Sequence, residues 1–264
     1  MGVSVLDIKT INGATSKGNQ PKFIKEGYFY KEDMMGYESI SEALVSEFLS
    51  YVKGVEFIDY YLEVVNRKGT DVYCCKSKIY TCEDESFISV YRLLSQYDKI
   101  KGLSKLNGND AVSYVIYSVY EITGLNIESY LATTFIIDSI ILNEDRHLNN
   151  ICLIQKGSSY RLSPIFDNGL SLLSDLNDYP MYMDISKAIR RVKAKPFNVS
   201  FNKQVRYFNF EPLVIDFDSF YNKIKAVIEN IDTSIPFKKE EFLRAKTILL
   251  KRLNESEGIL WVRS

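Results

Sequence analysis

In this chain of 264 residues, 33 lysines and arginines meet 34 aspartates and glutamates for a formal net charge of −1. It therefore lacks the broad cationic surface that a nucleic-acid backbone demands, and general nucleic-acid binding is not expected. With 46% of its residues hydrophobic, it can bury a sizeable core as one large domain or two tightly joined lobes.

The opening Met1-Gly2-Val3-Ser4-Val5 shows no basic region followed by a long apolar one. The most apolar stretch, Leu131 to Leu142, contains Thr133, Thr134 and Asp138 and is too short for a bilayer, so a cytoplasmic protein without a transmembrane segment is expected. The run Ile11 to Lys22 is small, polar and glycine-containing, and such a loop can bring backbone N–H groups close to phosphate oxygens. Phe23 to Lys31 carries two apolar clusters around Gly27 and reads as a hairpin. Strand alternation sends Phe29 and Lys31 to one face, where Lys31 can reach into a cleft.

A helix is predicted from about Tyr37 to Tyr51, with Ile40, Ala43, Leu44 and Phe48 on its apolar face. Glu38 and Glu42 lie four apart and share a face, so either can meet Lys31, and Glu42 is one turn deeper. Val55–Val65 and Asp71–Cys75 read as strands joined by Asn66 to Thr70, completing a small antiparallel sheet. Adjacent Cys74 and Cys75 point to opposite strand faces, and with Cys82 and Cys152 they show no zinc-finger spacing. All four are read as reduced.

From Glu85 onward the pattern turns helical: Glu85–Tyr97, Asn109–Ile122 and Asn126–Leu142, with Asn109 and Asn126 as N-caps. The last of these delivers the chain to Asn143-Glu144-Asp145-Arg146-His147-Leu148-Asn149-Asn150, which holds the only histidine. Ile151–Gln155 and Tyr160–Phe166 flank a turn at Gly157-Ser158-Ser159 and form a second hairpin, followed at once by Asp167-Asn168-Gly169. A hairpin of that length brings its ends together, so Asn150 and Asp167 are expected to face one metal site from opposite strands. Two amphipathic helices, Asp218–Ile231 and Lys239–Glu255, close the chain.

Phosphoryl transfer needs a carboxylate to align the acceptor and a few hard oxygen ligands for magnesium, and Asp145, Asn150 and Asp167 are of those types. The lone His147 cannot build a zinc site, which takes three or four ligands.

The D-x-H-x-x-N spacing, the hairpin and the D-x-G turn together resemble the catalytic loop and metal-binding turn of the HipA-like serine/threonine kinases, which share their fold with the phosphatidylinositol 3-/4-kinases. The resemblance implies an α+β, two-lobed kinase-like fold, with a small antiparallel-sheet lobe over residues 1–78 and a mainly helical lobe over 79–264. ATP and Mg²⁺ are then expected between the lobes, with transfer to a Ser or Thr hydroxyl of a protein substrate. It implies Asp145 as the catalytic base, Asn150 and Asp167 as magnesium ligands, and His147 as a residue that orders the loop or contacts phosphate. It also implies Lys31 on the nucleotide phosphates, steadied by Glu42. The run Thr15 to Lys22 looks like the family's phosphate loop, with Gly18, Asn19, Gln20 and Lys22 over the phosphates and Thr15 or Ser16 as autophosphorylation sites.

Leu170 to Lys195 falls where an activation segment belongs, and Pro196-Phe197 with Gln204 look like the family's stretch after it. The chain is shorter than the two-gene toxins of the family, which use an extra N-terminal subdomain to engage an antitoxin; a related regulator remains a partner to expect. Its turn also reads Asp167-Asn168-Gly169, where many kinases place an aromatic beside the aspartate. The rivals are a lipid kinase, for which Lys187, Arg190, Arg191, Lys193 and Lys195 supply the basic cluster an inositol headgroup requires, and a nucleotide-binding regulatory module with little turnover.

Overall fold

The first hairpin forms where alternation and a tight turn agree. In the computed structural model, which describes residues 20–67, 69–231 and 238–264, β1 (Lys22–Lys25) pairs antiparallel with β2 (Tyr28–Glu32). Glu26 and Gly27 turn the chain with φ of 52° and 79°, and positive φ at both central positions matches the right-handed twist of the strands. Thr15, Ser16, Gly18 and Asn19 lie outside the described residues.

β2 continues into a four-stranded sheet of order β1-β2-β4-β3, where β3 is Tyr61–Arg67 and β4 is Thr70–Lys78. Cys74 and Cys75 do serve opposite faces: Cys74 packs with the stacked rings of Phe23 and Tyr30, whose centroids are 4.6 Å apart, while Cys75 pairs in register with Lys31. Helix α1 (Glu38–Leu49) packs against β2, β3 and β4 on one side and a C-terminal helix on the other, so it is buried nearly all round.

Strand β3 starts at Tyr61 rather than Val55. The preceding residues are tied to another part of the chain, with Ile58 N–H donating to the Ile165 carbonyl at 3.0 Å and Ile165 N–H to the Glu56 carbonyl at 2.8 Å. The helix expected from Glu85 begins only at Val90. Ser86–Ser89 is a strand, β5, which joins β6 (Cys152–Lys156) and β7 (Ser159–Leu162) in a three-stranded sheet of order β5-β6-β7. Phe87 and Ile88 suit either period, and the open edge of β6 decides between them. Ser89 then caps α2 (Val90–Gln96), its Oγ accepting from Arg92 N–H.

The short α3 (Ile100–Leu103) precedes α4 (Gly108–Thr123) and α5 (Glu128–Ile141). Neither expected asparagine N-cap holds: α4 begins one residue ahead of Asn109, and Asn126 accepts from Glu128 N–H one position before the Ile127 cap. β6 starts one residue later than expected and β7 ends at Leu162 instead of Phe166, so Asn150 lies in the loop before β6 and Asp167 in the loop after β7. After α6 (Ile185–Ile189) and α7 (Phe201–Val205) come β8 (Leu213–Ile215), α8 (Phe217–Glu229), α9 (Lys239–Ser256) and β9 (Trp261–Arg263). β8 and β9 form an unanticipated parallel pair. One core runs from Tyr37 through α5 to Trp261 and fixes the loop that follows α5.

Gly36 marks a close approach beside that core. A Cβ there would lie 2.1 Å from the Ser174 carbonyl oxygen and 2.7 Å from Leu176 Cγ. Gly36→Ala is expected to destabilise the fold by about 1–3 kcal/mol, since the backbone must shift to admit the methyl group; urea denaturation measures it, and an unchanged midpoint would refute the contact.

Candidate active site

Asp138 is a charge inside an otherwise aliphatic helix, and such a group survives burial only with a partner. The partner is Arg146, itself 1% exposed, whose Nε and Nη2 donate to the Asp138 carboxylate at 3.0 Å. Its remaining donors reach the Asn150 carbonyl at 3.2 Å, the Phe166 carbonyl at 2.7 Å and Asn168 Oδ1 at 2.6 Å. One guanidinium thus joins α5, the 143–150 loop and the 166–169 turn. Arg146 had no role in the sequence reading, although the buried Asp138 was the signal that a cation must meet it.

The loop is held from within as well. Asn143 Oδ1 accepts from Asp145 N–H at 3.0 Å, Asn150 N–H donates to the His147 carbonyl at 2.8 Å, and Asn150 Nδ2 donates to the Asp145 carbonyl at 3.2 Å. That last bond uses the amide nitrogen and leaves the Asn150 oxygen as the end that suits a cation. Left-handed backbone collects here: Leu142 (φ 58°) ends α5, Asp167 (φ 60°) opens the turn, and Leu172 and Leu173 (φ 53° and 62°) follow. Each costs about 1–2 kcal/mol, and the surrounding bonds hold them. The Leu172 carbonyl, for example, accepts from Tyr37 Oη at 2.7 Å.

Lys31 comes from β2 on the opposite wall. Its Nζ donates to Glu42 Oε1 at 2.5 Å and to Asp167 Oδ1 at 2.7 Å, and lies 4.9 Å from the centre of the Tyr60 ring. Burial weakens the ammonium's hold on its proton, but Asp167 and Glu42 outweigh that and push the lysine well above its ordinary range. Conversely, burial pushes the Asp167 carboxyl up, while Lys31 and then Lys22 pull it down further, so it stays ionised. Glu42 Oε2 also accepts from Asn168 N–H at 2.9 Å. Glu38, the other glutamate that shared the face, instead accepts from the N–H groups of Met34, Met35 and Gly36 and shapes the loop before α1.

Gln20, Lys22, Asp145, Asn150 and Asp167 line one open cleft, with Met34, Met35, Glu38, Gly169 and Leu170 completing it. Lys31 and Glu42 stand directly behind Asp167. His147 is less engaged: its Nε2 is 3.9 Å from Asp145 Oδ2, beyond hydrogen-bond reach. Of the basic cluster, Lys187, Arg190, Arg191 and Lys193 are exposed, whereas Lys195 turns to Asp145 Oδ1 at 3.1 Å. The expected ligand chemistry fits these residues, since a carboxylate and an amide oxygen are hard donors and the adjacent ammonium suits phosphate.

No protein-family model matches the chain, and no curated protein sequence matches it. Solved structures do. The Helicobacter pylori proinflammatory kinase CtkA superposes with a TM-score of 0.64 at 17% identity, covering 95% of this chain and 92% of that one. HipA of Shewanella oneidensis MR-1, solved with HipB and operator DNA as a toxin–antitoxin system, gives 0.50 at 10% identity, covering 95% and 67%. The chain therefore has a HipA-like kinase fold, with a small antiparallel sheet on one side and a mainly helical lobe on the other. No described helix is long and apolar enough to cross a membrane.

Proposed function

We propose that this chain is an ATP-dependent phosphotransferase that moves a γ-phosphoryl group to a Ser or Thr hydroxyl of a protein. The observation that carries the reading is the convergence of Asp145, Asn150 and Asp167 on one cleft, with the Lys31–Glu42 pair behind it. Bound Mg·ATP supplies the transferable group and the cation that offsets its charge. Asp145 orients the acceptor hydroxyl and takes its proton, the Asn150 oxygen and the Asp167 carboxylate hold the cation, and Lys31 faces the phosphates. The lobe boundary is taken at residue 78, after β4. Gln20 and Lys22 stand at the cleft edge where a phosphate loop belongs, and Gly18 and Asn19 are read as covering the phosphates, with His147 supporting the loop. Thr15 or Ser16 is the proposed self-phosphorylation site, which intact-mass measurement after incubation with Mg·ATP checks. The toxin–antitoxin setting of the HipA neighbour motivates an antitoxin-like regulator and a cytoplasmic location.

A second reading, phosphoinositide transfer, is favoured by one observation: Lys187, Arg190, Arg191 and Lys193 are exposed and form no ion pair among the described residues. Radiolabelled ATP offered with a generic protein or with phosphoinositide vesicles separates the two. Label on protein Ser or Thr is expected, falling about 10²–10⁴-fold in Asp145→Ala. Label on vesicles alone reverses the ranking, and ATP binding without transfer makes the chain a regulatory module.

A further inference from the structure

Asp145 is held by its own loop and also by a residue from a distant part of the chain. That residue is Lys195, fifty residues later, whose Nζ donates to Asp145 Oδ1 at 3.1 Å. An ion pair on a flexible surface lysine contributes little, because ordering the side chain offsets the attraction. Lys195 differs in how its backbone is fixed. Gln204, 1% exposed on α7, donates from Nε2 to the Lys195 carbonyl at 2.8 Å, and its Oε1 accepts from Phe197 N–H at 3.0 Å and Asn198 N–H at 3.3 Å. Ala194 N–H closes the same loop onto the Val199 carbonyl at 3.0 Å.

The clamp is anchored to α5, the helix that leads into the Asp145 loop. α7 packs on α5, and Phe197 meets Phe135 of α5 edge-on, with centroids 5.8 Å apart. Helix, clamp and lysine therefore form a closed path that returns to the carboxylate α5 delivers. Asp145 needs such a brace, since it shares its cleft with the Asp167 and Glu38 carboxylates and would have to accept a polyanionic ligand nearby.

We infer that Lys195 is a positioning residue, presented by the Gln204 clamp, that holds the Asp145 carboxylate aimed at the acceptor hydroxyl. The inference rests on the phosphotransferase reading and deepens it. A lysine that acts only through Asp145 affects turnover rather than nucleotide affinity, and has nothing left to do once Asp145 is gone.

The test is steady-state transfer from ATP to a generic protein acceptor by the full chain, comparing wild type, Lys195→Met, Lys195→Arg, Gln204→Leu, Asp145→Ala and the Asp145→Ala/Lys195→Met double variant. Lys195→Met is expected to lower kcat roughly 10–100-fold, as loss of an orienting partner does, with KM for ATP within about twofold of wild type. Lys195→Arg should recover most of the loss, Gln204→Leu should fall between, and the double variant should match Asp145→Ala alone. The inference is overturned if Lys195→Met leaves kcat within about twofold, raises KM for ATP at constant kcat, or slows the Asp145→Ala enzyme by the factor it slows wild type. Should Lys195→Met melt early, the folded Lys195→Arg and Gln204→Leu variants decide: wild-type kcat in Gln204→Leu refutes the clamp. A wild-type chain that transfers nothing removes the phosphotransferase reading and this inference with it, a result distinct from an active wild type with an active Lys195→Met.

Discussion

Arg146→Met is expected to lower stability by about 3–5 kcal/mol, the usual cost of stripping one partner from a buried ion pair, and to drop the melting temperature by on the order of 10 °C. Asp138 would be left without its counter-ion, a carboxyl group 1% exposed among aliphatic side chains, and the Asn150 and Phe166 carbonyls and Asn168 Oδ1 would lose their shared donor. Replacing both partners separates the two consequences. Asp138→Leu/Arg146→Met removes the stranded carboxyl together with its partner, and such apolar swaps are commonly neutral or better. The double variant should therefore regain most of the lost stability in urea denaturation. Its phosphotransferase activity should stay low, because the guanidinium that joins the 143–150 loop to the 166–169 turn is then gone. A single variant as stable as wild type, or an active double variant, would show that the guanidinium is not the junction.

Lys31→Met and Asp167→Asn should part in the opposite way. Removing the ammonium leaves the Glu42 carboxylate, which is fully buried, facing Asp167 without compensation, so a loss of about 3–5 kcal/mol is expected along with activity. Asp167→Asn keeps the Lys31–Glu42 contact at 2.5 Å and strands no buried carboxylate, so its stability loss should be smaller than that of Lys31→Met. Transfer should nevertheless fall about 10²–10³-fold, the loss typical of deleting one preorganised electrostatic group. Thermal melting adds a binding readout. Mg·ATP at 100 times its Kd stabilises wild type by about 2.7 kcal/mol, and the gain should shrink in Asp167→Asn. Equal protection of both proteins would remove Asp167 from the cation site.

Much of the site could be read from residue order because its parts are short-range. Asp145 and Asn150 are five apart in one loop, and Asn150 and Asp167 are joined by a hairpin whose turn is plain at Gly157. The Lys31–Glu42 contact was also legible, since strand alternation orients the lysine and helical spacing narrows its partner to two glutamates, although burial chose between them. Ser86–Ser89 and Val55–Tyr60 were misread for a common reason. A short apolar run takes its conformation from whichever edge lies open to it, and those edges, β6 and Ile165, stand far along the chain.

From amino-acid order came the hairpins, the long helices and the candidate loop and turn, because periodicity and turn residues act over a few positions. Folding alone decided that Arg146 joins three segments, that Glu38 shapes a loop while Glu42 meets the lysine, and that Lys195 leaves the exposed basic cluster to reach Asp145. Those outcomes depend on which charges lose their water. Desolvation is set by packing across the whole core, so no local pattern records it.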